Sequence, residues 1–105
     1  MAVGNRKAET EKHRLLKYLI AAILEGRGGS PEIESDFGDS ILDVFDKGMA
    51  YEVQTIKSIK AEQTKLAKYL LHCEIEDVMF IYVKDFDVGF IINSDFYKRL
   101  KFKLG

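Results

Sequence analysis

Hydrophobic positions in the first part of the chain recur at helical spacing. Leu15, Tyr18, Leu19, Ala22 and Ile23 give one apolar face, which predicts a helix over Glu9 to Glu25. Gly26 and the pair Gly28-Gly29 end it. Beyond them the period shortens. Pro31 to Ser35 reads as a short edge strand. Two apolar runs, Ile41 to Phe45 and Met49 to Ile56, flank Asp46-Lys47-Gly48 and predict a hairpin. A second helix is expected from Ala61 to Cys73, with Leu66, Ala67, Leu70 and Cys73 inward and Lys60, Glu62, Lys65 and Lys68 outward. Val78 to Val83 is continuously apolar, as in a strand covered on both faces. Lys84 to Asp87 turns the chain, Val88 to Ile92 returns as a strand, and Ser94-Asp95 opens a last helical turn over Phe96 to Leu100. Together these elements predict one α/β domain over residues 9–105, behind a flexible terminus over residues 1–8. Its centre is a mixed four- to five-stranded sheet flanked by helices.

Composition adds limits. With 47% hydrophobic residues in 105 positions, the chain can form a core without disulfide staples. Its single cysteine, Cys73, rules out an internal disulfide and favours a reducing, intracellular setting. No apolar run is long enough to span a bilayer, so a soluble, cytoplasmic protein with no membrane partner is expected. The net charge is only −1, but the charges are unevenly spread. Ser30 to Asp46 holds Glu32, Glu34, Asp36, Asp39, Asp43 and Asp46 and no base. Lys12 and Arg14 precede that stretch, and Lys57 and Lys60 follow it. An acidic centre between basic flanks suits a cation beside a phosphate backbone; an ordinary solvated surface accounts for any one cluster alone.

The acids have a strand geometry. Side chains alternate faces along a strand, so Glu52 and Gln54 point one way and Val53 the other. Asp39 stands just before the first hairpin strand, near the level that Glu52 reaches on its return; Asp43, on the strand itself, is its rival. Two facing carboxylates make a site for a hard divalent cation. Glu11 lies at the rim of the first helix's apolar face, where an acid is also favoured by the helix dipole. His13 and His72 have no metal-ligand spacing and read as surface or capping residues.

This order and this acid pattern resemble the PD-(D/E)xK nuclease superfamily, with its restriction-endonuclease-like fold. Within it the likeness is to small archaeal Holliday-junction resolvases and related archaeal or viral nucleases. Asp39-Ser40-Ile41 stands where the family has Pro-Asp-Ile, and Glu52-Val53-Gln54 where it has Glu-x-Lys. Gln63 stands at the helix Gln, and Glu11 at the N-terminal helix Glu. Gln54 in place of Lys is the clear departure.

The resemblance implies a metal-dependent DNA endonuclease that hydrolyses phosphodiester bonds, acts on duplex or branched DNA, and works as a homodimer. Mg²⁺, with Mn²⁺ able to substitute, would be held by Asp39, Glu52 and the Val53 carbonyl. Glu11, Gln54 and Gln63 would position water or phosphate, and Lys12, Arg14, Lys57 and Lys60 would contact the nucleic acid. Gln54 can hydrogen-bond a water but carries no charge, so a nucleic-acid-binding module with weak or no catalysis is an alternative. A small structural or regulatory α/β domain is another.

Overall fold

The computed structural model describes residues 11–55, 57–86 and 94–105. Its order is α1 (Glu11–Gly26), β1 (Glu32–Asp36), β2 (Ile41–Asp46), β3 (Met49–Gln54), α2 (Ile59–Tyr69), β4 (Asp77–Tyr82) and α3 (Ser94–Leu104). The expected terminus over residues 1–8, the strand over residues 88–92 and Ile56 lie outside the described residues. The final helix is longer than the single turn expected, at 11 residues.

The strands form one sheet in the order β1-β2-β3-β4. β1, β2 and β3 are antiparallel neighbours, while β4 runs parallel to β3. The antiparallel part follows from short connections. Lys47 and Gly48 both have positive φ, 50° and 84°, and link Asp46 directly to its partner Met49. That is the two-residue turn whose twist matches a hairpin. The positive φ of Gly48 is what favours glycine there, since the neighbouring Glu76 side chain is exposed and can move aside. A Cβ there would come within 2.9 Å of the Glu76 side chain, and the Gly48 carbonyl accepts the Glu76 amide at 2.7 Å. The parallel pair needs a crossover, which α2 provides.

Two apolar clusters cover the two faces. On one, Leu16, Ile20, Ile23 and Leu24 of α1 meet Val44, Tyr51, Val53 and Ile81, together with Leu100 and Leu104 of α3. On the other, Tyr69 and Ile75 meet Leu42 and Ala50. The protein is therefore a single α/β domain: a mixed four-stranded sheet between α1 and α3 on one side and α2 on the other. Among the described residues, no helix is long and apolar enough to cross a membrane.

α1 and α2 are both rotated from the faces expected. In α1, Tyr18 and Ala22 are exposed, and the buried row is Leu16, Lys17, Ile20, Ala21, Ile23 and Leu24. The segment is apolar over most of its circumference, so periodicity left the rotation open and sheet packing set it. α2 ends at Tyr69, short of the expected Cys73; within it only Tyr69 is buried and Ala67 is exposed, while Leu70 and Cys73, expected to face inward, lie beyond its end and are exposed. Its inner side is instead Glu62, Lys65, Leu66 and Tyr69, at helical spacing. Polar groups face the sheet there because the sheet presents polar groups to them.

Candidate active site

The site lies where β2 and β3 part. Their ladder runs through Asp46↔Met49, Phe45↔Ala50 and Val44↔Tyr51. One residue further, two carboxylates replace backbone partners. The Asp43 amide donates to Glu52 Oε2 at 2.9 Å, and the Val53 amide donates to Asp43 Oδ2 at 2.8 Å. Each strand's acid thus satisfies the other strand's N–H, which a buried backbone amide requires.

A break in β2 makes this possible. Leu42 packs in the α2 cluster and Val44 in the α1 cluster, though alternate residues of a regular strand share a face. The facing therefore switches at Asp43. Opposite, Glu34 of β1 has a φ of 56°, between the pairs Ile33↔Val44 and Ser35↔Leu42.

Glu52 is 3% exposed and Asp43 is 7% exposed. Burial pushes both carboxyls above their ordinary pKa range; for Glu52 the charge of Asp43 adds to the rise. For Asp43, its hydrogen bond from Val53 and the charges of His13, Lys17 and Lys65 pull the other way. α2 supplies further partners. Lys65 Nζ lies 3.2 Å from Gln54 Oε1 and 3.4 Å from Glu52 Oε1, and the Tyr69 hydroxyl donates to Glu52 Oε1 at 3.2 Å. Burial, then the charge of Glu52, pushes the Tyr69 phenol up, so it stays a donor. From α1, His13 Nε2 donates to the Val53 carbonyl at 2.8 Å and lies 3.6 Å from Asp43 Oδ2.

Glu52, Val53 and Gln54 are thus placed as strand alternation predicts, with Glu52 and Gln54 toward α2 and Val53 in the α1 cluster. Asp43, not Asp39, meets them. Asp39 is 52% exposed in the loop before β2 and accepts from His72 Nε2 at 2.8 Å, a bond that lowers its pKa. Glu11 is exposed and pairs with Arg14 at 3.4 Å. Gln63 is exposed on α2, while the inner positions are taken by Lys65 and Tyr69. Lys12 and Arg14 flank His13 in the turn of α1 that reaches Val53. Lys57 lies over the Tyr82 ring, 5.4 Å from its centroid, and Tyr82 pairs with Gln54 at the same end of the sheet. Lys57 and Lys60 are exposed.

His13, Lys65 and Tyr69 are contributors that the sequence reading passed over. A signal for two of them existed. Glu62, Lys65, Leu66 and Tyr69 recur at i, i+3, i+4 and i+7, a face as regular as the apolar one chosen.

The donor set is hard oxygen: two carboxylates and the Val53 carbonyl. It suits Mg²⁺ or Mn²⁺, which take carboxylate and carbonyl ligands. By donor chemistry alone these residues suit such an ion, although Asp43 Oδ2, both Glu52 oxygens and the Val53 carbonyl already accept hydrogen bonds from the protein. Among the described residues, no three His, Cys, Asp or Glu side chains converge as a metal cage.

No family model, curated protein or solved structure matches this chain.

Proposed function

We propose that the protein is a metal-dependent DNA endonuclease of the PD-(D/E)xK type, with Asp43 and Glu52 as its paired acids. The supporting observation is the reciprocal bonding of Asp43 and Glu52 at the parting of β2 and β3, inside the element order α-β-β-β-α-β. Bound there, Mg²⁺ would supply a nucleophilic water and polarise a phosphoryl oxygen.

The chain's own groups do the rest. Asp43, Glu52 and the Val53 carbonyl would hold the ion. The Tyr69 hydroxyl fixes the Glu52 carboxylate. Gln54 orients a water through its amide but does not titrate. The ammonium missing from position 54 is supplied from α2, where Lys65 touches both Gln54 and Glu52. Lys65 would then balance negative charge that develops on the phosphoryl oxygens. Lys12, Arg14, Lys57 and Lys60 would track the nucleic-acid backbone. The working unit is taken as a homodimer.

One observation favours a second reading, a DNA-binding module with weak catalysis: His13 already donates to the carbonyl that the ion would need. One experiment decides between them. Plasmid and branched DNA are incubated with the protein in Mg²⁺, in Mn²⁺ and in EDTA, beside Asp43→Asn and Asp39→Ala. Cutting that needs the ion, falls roughly a hundredfold or more in Asp43→Asn and persists in Asp39→Ala supports the nuclease. Salt-sensitive binding without cutting supports the module. Intact DNA and no binding would end both.

A further inference from the structure

Lys17 is fully buried, at 0% exposure, where a lysine is rarely found. Its ammonium contacts the Glu34 carboxylate at 2.9 Å. Glu34 is one of two non-glycine residues with positive φ among the described residues; the other, Lys47, is in the hairpin turn. A left-handed residue inside a strand is unfavourable unless the surroundings hold it. Here they do. Glu34 stands in β1 across from Asp43, between the pairs Ile33↔Val44 and Ser35↔Leu42. On either side of that point the inward residues of β2 change faces.

We propose that the Lys17–Glu34 ion pair is a positioning device for the candidate site. Anchored in α1, it holds β1 in its left-handed bend. The bend holds β2 in the facing switch, and the switch presents the Asp43 amide to Glu52 and the Asp43 carboxylate to Val53. Lys17 and Glu34 touch no substrate; they act through Asp43. Only the consequence for cation binding rests on the nuclease reading. Lys17 is also near enough for its charge to act on Asp43, so its loss removes a positive field as well as the anchor.

The test uses amide hydrogen exchange at Asp43 and Val53, read by NMR, and Mn²⁺ affinity, read by water-proton relaxation. In Lys17→Met and Glu34→Ala, exchange at both amides should accelerate tenfold or more and Mn²⁺ affinity should fall by about 10–100-fold, as for lost support of a metal ligand. Glu34→Gly should lose less, because glycine adopts the bend without strain. Far-ultraviolet circular dichroism checks that each variant is folded. Glu34 is partly exposed, so its variants decide the matter if Lys17→Met does not fold. Unchanged exchange at Asp43 and Val53 in folded variants would overturn the proposal. So would equal losses in Glu34→Ala and Glu34→Gly. If the wild type binds no Mn²⁺, the nuclease reading fails, and the exchange data still judge the device.

Discussion

Replacing Glu52 with Gln should make the protein more stable at alkaline pH and not at acidic pH. Glu52 and Asp43 are both buried, and both have raised carboxyl pKa values. An acid with a higher pKa in the folded chain binds its proton more readily when folded. Its burial is therefore tolerated below about pH 4, and that advantage is lost as the pH climbs through the raised value. Gln keeps an oxygen for the Asp43 amide, now bonded to Glu52 Oε2 at 2.9 Å, while removing the charge. It gives up the long 3.4 Å contact to Lys65, which retains Gln54. A gain in stability is expected at pH 8, shrinking toward zero near pH 4. Thermal unfolding in EDTA reads this as a Tm shift of roughly 4–8 °C per kcal/mol for a domain near this size. Mg²⁺ should reverse the order. At a hundred times its dissociation constant it stabilises the wild type by about 2.7 kcal/mol and the variant far less. If Glu52→Gln loses stability equally at both pH values, the two acids are not a strained pair, and the cation site goes with them.

Other outcomes follow from single contacts. Gly48→Ala forces a left-handed backbone on alanine; urea unfolding should show a loss of roughly 1–2 kcal/mol. Tyr69→Phe removes the hydroxyl donor of buried Glu52 and should cost about 1–3 kcal/mol at neutral pH in the same assay, less in acid. Lys57→Ala and Lys60→Ala should weaken DNA binding on any sequence, each lowering the salt slope by about one, which fluorescence anisotropy across a salt series would measure.

Strand positions were legible because their period is two and the hairpin turn is local. Glu52, Val53 and Gln54 took their faces from alternation alone. Alternation failed at Asp43, since a regular strand has no facing switch and nothing near Asp43 in sequence announces one. The bend that causes it belongs to Glu34 in a neighbouring strand and Lys17 in a helix. The spacing favours Asp39 and leaves Asp43 as its rival, yet the loop carries Asp39 to His72.

Helix rotations were the other blind point. Two of the α2 residues read as a wet face, Glu62 and Lys65, turn toward the sheet, while Lys60 and Lys68 stay exposed as expected and the apolar Leu70, just past the helix, stays out. By itself, the sequence determined most of the described elements, their order and an acid on each hairpin strand, because these depend on neighbours a few residues apart. Which acids meet, and which helix face meets them, was decided only by tertiary packing. Two buried carboxylates must find donors and positive charge wherever the fold brings them: Lys65 and Tyr69 come from the helix that follows β3, and His13 from a helix about forty residues away in the chain.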